Sequence, residues 1–546
     1  MFISTAAFCA TILLLSVYVF LLRTPPLIIS EATTRITGPL TADGQIDFFK
    51  ALEERIYPPE LATDDNGFRD FVRLFGHVGD PGPDWEFYRL QKYEKLGLDP
   101  NVPPTLTLPP EVDAIVANFH RAKGESIPSE YLWGKPWTLE EFPTLADWVN
   151  DIDTPLDAIA EAIRKPIFFS PLLQSPGAVQ SEGDTMGLCA QILPDIQFFR
   201  SVARRFQARA MYRVGHGDIN GAIDDKLAVY RLGRLIPQKR SLIEYLVGLA
   251  IEGMAMAMPV GANPEYPLTE SQIRQLLDGF DALPPLAPLR DTYEWERLYG
   301  LSYIQVPPRN PWVMSAMINK KGTRQWFGIA SYFCNWNIVY RRMNEMYDAM
   351  QEPPPRVKFY SLTEKPEPTA WENFVRLWHP NNRGKIVADT LVSLMASAID
   401  VIEEATHRSQ CAENMQRLAL AILLYRCENG KFPDENWAAQ IEKYLGENPQ
   451  RYFSCPTSPS PDGETTYALV QYGDTVTGSP DLLLLVELAA PVPLDKAVIF
   501  ADDVLACKGT GSLHSGGMNA ACHNTAVRFL LSNTDAKELE RLLRQR

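Results

Sequence analysis

Apolar positions run without a charged side chain from Phe2 to Leu22, and Arg23 ends the run. At about 1.5 Å of rise per residue such a helix is about 30 Å long, the thickness of a bilayer's hydrocarbon core. The stretch is therefore read as a membrane-spanning helix that holds the rest of the chain at one membrane face. A cleavable signal would carry a basic leader, a shorter apolar core and small residues at the cut. Leu27-Ile28-Ile29-Ser30 supplies no such cut, and Phe8 stands where lipidation of Cys9 would want a small residue.

Past Pro25-Pro26 the pattern takes on helical spacing. Ile46, Phe49, Leu52 and Ile56 follow a turn at Asp43-Gly44, and Phe68, Phe71, Val72 and Phe75 follow a cap at Asp64-Asp65-Asn66. A proline-rich connector from Asp99 to Pro110 comes next. Helices are expected over Val112 to His120, Leu139 to Val149 and Pro155 to Ile163. The clearest pair lies between Phe198 and Ile236. Phe199, Val202, Ala203, Phe206, Ala210 and Val214 line one face, Gly215-His-Gly-Asp218 turns the chain, and Ala222, Ile223, Leu227, Tyr230 and Leu235 return. This turn resembles a tetratricopeptide (TPR) hairpin, but a stacked solenoid needs about three repeats, so an irregular, partly TPR-like helical array is expected. Further helices follow at Leu242 to Met258, Gln325 to Met350 and Lys385 to Ala405, punctuated by proline clusters.

Beyond His407 the periodicity changes again. Met415, Leu418, Ala419 and Ile422 form one apolar face and Leu420, Leu423, Leu424 and Cys427 another, so this helix is covered on most sides until Gly430 and Pro433 stop it. A capped segment at Trp437 to Leu445 precedes short period-two runs at Thr466 to Tyr472, Leu482 to Leu488, Ala497 to Phe500, Gly517 to Cys522 and Ala526 to Leu531. The fold class is thus mainly α with a C-terminal α+β domain built on a small antiparallel sheet. The expected organisation is an anchor at 1–23, a membrane-proximal segment and connector at 24–110, a helical domain at 111–405 and the α+β domain at 406–546.

Two stretches resemble known families. Thr34-x-x-Thr37-x-Pro39-Leu40, Gly44-Gln-Ile-Asp-Phe48 and Asp65-Asn66 are similar to the membrane-proximal segment of a large family of planctomycete membrane-anchored proteins. Leu418-Ala-Leu-Ala-Ile-Leu-Leu-Tyr-Arg-Cys-Glu-Asn-Gly-Lys-Phe-Pro433, Phe453-Ser-Cys-Pro456 and His514-x9-Asn524-Thr525 resemble prepilin-like domains of the planctomycete His-x9-Asp-Gly type. Asn524-Thr525 departs from Asp-Gly, and threonine accepts a positive φ poorly where asparagine tolerates it. Pilins also open on a basic leader, a Gly-Phe cleavage point and a glutamate within the apolar helix. None of these stands at this amino terminus, so polymerisation is not expected. The resemblance implies a pilin-like C-terminal domain and a single-pass protein of the bacterial inner membrane, its body extracytoplasmic (periplasmic).

The chain has 546 residues, 46% of them apolar, and a net charge of -15, which excludes a nucleic-acid binder lacking any basic stripe. Five of its eight cysteines (Cys411, Cys427, Cys455, Cys507, Cys522) fall late in the chain, where one or two disulfides and isolated buried thiols are both open. A basic face of Arg200, Arg204, Arg205 and Arg209 could hold an anion or pair with carboxylates. Met254, Met256 and Met258 could line a groove or pack in a core. Asp64, Asp65 and Asp70 lack the spacing of a calcium loop. Zinc-protease, nucleophile-elbow, Walker and dinucleotide motifs are absent, and Lys508 to Gly517 is glycine-rich without a following helix to receive phosphate. The best metal candidate is His514 with Cys522, His523, Cys507 and Asp502. A structural hydrogen-bonding His514 is the favoured reading, so no catalytic, cofactor or metal residue is assigned. The expectation is a non-enzymatic envelope scaffold with membrane contact through residues 2–22 and protein partners. An envelope hydrolase or transferase with a site between the two domains, and an accessory of a pilus-like or type II secretion system, are the alternatives.

Overall fold

In the computed structural model, residues 2–17, 25–78, 84–110, 132–174, 176, 195–238, 240–305, 334–351, 379–472, 480–501, 504, 514, 517–534 and 536–543 are described. Helices α1 (Phe2–Val17), α2 (Phe48–Ile56), α3 (Gly67–Phe75), α4 (Trp85–Lys95), α5 (Pro143–Ala162), α6 (Asp195–Gly215) and α7 (Ile219–Leu235) occupy the first half of the chain. They are followed by α8 (Leu242–Met256), α9 (Glu270–Asp281), α10 (Leu289–Tyr303), α11 (Trp336–Gln351), α12 (Pro380–Asn429) and α13 (Trp437–Ile441). Strands β1 (Glu464–Gln471), β2 (Leu483–Pro493), β3 (Val498–Phe500), β4 (Gly517–Cys522) and β5 (Val527–Leu531) precede a last helix, α14 (Ala536–Leu543). The fold is therefore mainly helical with one small sheet near its C-terminal end.

Of the Asp64-Asp65-Asn66 cap expected from sequence, Asn66 is the residue that forms the helix start, and Asp47 caps α2 in the same way. Asp47 accepts a hydrogen bond from the Lys50 amide at the start of α2, and Asn66 accepts from the Phe68 amide at the start of α3. In the α6–α7 hairpin, Gly217 takes a φ of 77° and Asp218 caps α7 through the Gly221 amide. Phe199, Val202, Ala203, Phe206, Ala210 and Val214 are buried, as their spacing requires.

Three elements differ from the sequence reading. The two helices expected at Leu139 to Val149 and Pro155 to Ile163 are one helix, α5, with Pro155 inside it. Burial of Ile152, Leu156 and Ile159 on its core face outweighs the lost amide donor, and the Arg209 guanidinium ties Asp153 and Asp157 across that turn at 2.8 Å each. The helix expected to end at Ala405 continues to Asn429, so α12 spans 50 residues, about 75 Å, and the boundary drawn at 405/406 falls inside it. It stops at Gly430, whose φ of 72° closes a left-handed cap. The sheet is mixed rather than antiparallel, with order β3-β1-β2-β4-β5 and β3 parallel to β1. After β2 the chain turns through Leu494–Lys496 and crosses to the outer edge of β1, where the Ala497 carbonyl accepts from the Leu469 amide and the Trp437 indole.

Among the described residues no helix is long and apolar enough to cross a membrane. Helix α1 covers the first 16 residues of the apolar opening, and residues 18–24 lie outside the described ones, as do the Val112 to His120 helix and the beginning of the Gln325 helix.

The described core has three parts. One joins α3, α5–α9, the C-terminal half of α12, α13 and the inner sheet face, through side chains such as Phe68, Phe206, Ile251, Leu418, Trp437 and Tyr467. A second gathers α2, α10, α11 and the N-terminal half of α12 around Trp336, Tyr340 and Val387. A third packs α14 against the outer sheet face at Val470, Val486, Ala520 and Cys522.

Candidate functional site

Where α12 lies across the inner face of the sheet, four chemically active side chains converge: Cys411, Cys455, Glu487 and His514, their donor atoms all within 4.8 Å of one another. Each is delivered by a different element. Cys411 sits in the middle of α12. Cys455 sits in the Phe-x-Cys-Pro loop, whose turn is closed by a hydrogen bond from the Ser458 amide to the Cys455 carbonyl and pinned to β1 by one from the Cys455 amide to Thr466 Oγ1. Glu487 lies opposite Tyr467 in the β1–β2 ladder, so strand alternation turns it toward α12 while Val486 and Leu488 face α14. His514 is placed by an isolated bridge to Gly517 at the start of β4. A Cβ on Gly517 would lie 2.2 Å from the Leu530 carbonyl oxygen, so only glycine permits this close pairing with β5.

The four groups touch. The Cys411 thiol donates to Glu487 Oε1 over 2.8 Å, His514 Nε2 is 3.2 Å from the same oxygen and 3.4 Å from Cys455 Sγ, and the Tyr467 hydroxyl donates to Cys411 Sγ at 3.1 Å. An outer layer orients them. Glu404 Oε1 faces His514 Nδ1 at 3.2 Å, and Glu487 Oε2 accepts from the Asn519 amide at 2.9 Å. All four residues are buried, none more than 2% exposed. The hydrogen bond from Cys411 brings the Cys455 thiol down to about 5 against the opposing effect of burial. Burial alone would lower His514, but its bonds to Cys455 and Glu487 override that and raise it to about 10. Burial drives the Cys411 thiol upward. Electrostatically, the imidazole stands beside the buried Glu487 carboxylate as a partner able to carry positive charge.

A lowered thiol beside an imidazole that a carboxylate orients is also the arrangement of a cysteine nucleophile. Here the sulfur is closed off from solvent, and a nucleophile needs a path for its substrate. What the arrangement can do as it stands is bind a cation enclosed between helix and sheet.

The metal set that the sequence suggests, His514 with Cys522, His523, Cys507 and Asp502, falls only partly on the described residues. Cys522 points to the outer sheet face with Ala520 and Leu530, away from His514. His523 packs edge-on against Phe432, and burial lowers it to about 4. Cys507 and Asp502 lie outside the described residues. His514 is the one described member that takes part in the cluster. Cys411 and Cys455 were visible as late-chain cysteines, but the contact between them spans a helix and a strand-bound loop. Glu487 carried no signal beyond being a carboxylate in an apolar strand. The six described cysteines are all free thiols.

Other candidate features are occupied by structure. Arg209 is buried and bonded to Asp225 at 2.6 Å and to Asp153 and Asp157, and Arg205 donates to the Pro109 carbonyl at 2.9 Å. Met256 and Met258 are core residues. Asp64 pairs with Arg69, and Asp70 with Arg73 and Lys165. Compared with known proteins, the chain matches no protein-family model, no curated protein and no solved structure.

Proposed function

We propose that this chain is a tethered scaffold of the bacterial cell envelope, held in the inner membrane by residues 2–22 and presenting a rigid body for contact with other proteins on the extracytoplasmic side. The observation that carries the reading is the contrast at the amino terminus. Phe8, Leu13 and Leu14 on α1 are about two-thirds exposed, an unusual state for neighbouring large apolar residues. A few residues on, Pro26 and Ile28 are bonded to Asn337 of α11 at 2.8 Å each. An exposed apolar helix followed along the chain by a docked neck is what an anchor would show. Helix α12, laid across a small sheet, supports the pilin-like reading of the C-terminal part, and the α6–α7 hairpin supports a partly TPR-like array. Closure of the Cys411–His514 cluster to solvent weighs against a hydrolase working there.

Fractionation of cells making the full chain tests this. The protein is expected in the membrane pellet after alkaline carbonate washing, with the body digested by protease only once the outer permeability barrier is opened. Recovery in the soluble fraction, or digestion only after the inner membrane is breached, overturns it.

A further inference from the structure

We propose that Cys411, Cys455, Glu487 and His514 form a closed structural zinc site that fastens α12 to the sheet. The inference goes beyond the scaffold reading and does not depend on where the chain is held.

The donor set comes first. Two sulfurs, one imidazole nitrogen and one carboxylate oxygen make a mixed soft and borderline set that suits zinc, whereas calcium and magnesium require oxygen ligands. Geometry comes second. With bonds of about 2.3 Å to sulfur and about 2.0 to 2.2 Å to nitrogen or oxygen, the edges of a zinc tetrahedron are about 3.3 to 3.8 Å. The His514–Cys455 edge of 3.4 Å and the His514–Glu487 edge of 3.2 Å lie close to that range, the Cys411–Glu487 edge at 2.8 Å would open, and every other edge lies within 4.8 Å. Third, three of the four ligands have the outer partner that metal ligands generally have. Glu404 against Nδ1 leaves Nε2 aimed inward, the Asn519 amide holds the far oxygen of Glu487, and the Tyr467 hydroxyl donates to Cys411. Four protein ligands and no solvent access describe a structural rather than a catalytic zinc.

The competing arrangement is a Cys411–Cys455 disulfide. It would use two of the four groups and remove the thiol that donates to buried Glu487, leaving His514 beside that oxygen. A zinc ion satisfies all four at once.

Metal analysis of the detergent-purified full chain, as isolated and after reconstitution with zinc under reducing conditions, decides between them. About one zinc per chain is expected, lost in the double variant Cys411→Ser/Cys455→Ser and kept in Cys522→Ser and His523→Ala. Because the double variant could fail to fold, the wild-type chain is also loaded with cobalt(II). Thiolate-to-cobalt charge transfer and intense tetrahedral visible bands are expected, and weak octahedral bands overturn the proposal. Glu404→Leu should weaken zinc about 10- to 100-fold while the helical spectrum is retained. Zinc retained by the double variant, no zinc after reconstitution, or a Cys411–Cys455 disulfide in a non-reducing peptide map each overturns it.

Discussion

At the scale of single residues, several buried charges pair across elements, as Lys92 does with Asp195 and Arg234 with Glu252, and strained or unpaired positions are where substitutions should act most clearly. Thr525 holds a φ of 70° and its hydroxyl, buried, makes no hydrogen bond. The turn therefore bears the penalty of a β-branched residue in the left-handed region, which the sequence attributed to the Asn-Thr departure from Asp-Gly. Thr525→Gly is expected to raise unfolding stability by about 1 kcal/mol, read from the urea midpoint.

Lys226 is fully buried and donates to the Met258 carbonyl at 2.8 Å. Burial pushes its amine from 10.5 down to about 7. Between those values the unfolded chain binds a proton that the folded chain does not, so this residue makes stability rise as pH rises through the window and adds a constant penalty below it. Urea titrations at about pH 7 and about pH 10 should show the wild type gaining more than about 1 kcal/mol relative to Lys226→Met across that interval. Equal pH dependence of the two proteins would refute this. The Arg209–Asp225 pair is the opposite case. Asp225→Asn leaves the guanidinium with its partly exposed partners Asp153 and Asp157, and a loss of about 3 kcal/mol is expected on denaturation.

At the scale of elements, caps and periodicity account for most of what was readable beforehand. Asn66, Asp218 and Gly430 act at the positions their chemistry implied. Replacing Gly430 by alanine should cost about 1 kcal/mol, because the left-handed cap would then carry a Cβ, and the loss of helicity at the α12 end is measurable by hydrogen exchange. What sequence misjudged were the features decided by tertiary packing. Pro155 looked like a helix break because local chemistry says so, yet three buried side chains and Arg209 hold α5 through it. The length of α12 was hidden by a change in periodicity near His407, which marks a change of packing partner rather than a change of conformation. The placement of β3 beside β1 follows from the Trp437–Ala497 bond, a contact 60 residues apart in the chain. The cysteine–glutamate–histidine cluster was illegible for a similar reason. Its members come from a helix, a loop, a strand and a bridge, with no short spacing to betray them.

At the scale of the whole molecule, residues on either side of the expected 405/406 boundary pack into a shared cluster. Leu418 and Ile422 of α12 pack in the same cluster as Phe206 of α6, while Val387 and Leu391 earlier in the helix belong to the cluster with α11. Arg234 of α7 bonds to both Glu252 of α8 and Glu413 of α12. Cutting the chain at 405/406 should therefore leave both fragments without a cooperative thermal transition when made separately, checked by circular dichroism. Co-expression should restore one transition.

The neck at Pro26 and Ile28 has a mechanical consequence. Because it is clamped to Asn337, tension applied at the amino-terminal side of the neck enters α11 before it reaches α12 and the strands. Pulled from its two ends in an optical trap, the molecule should first release the neck in a small step and then yield in one large step.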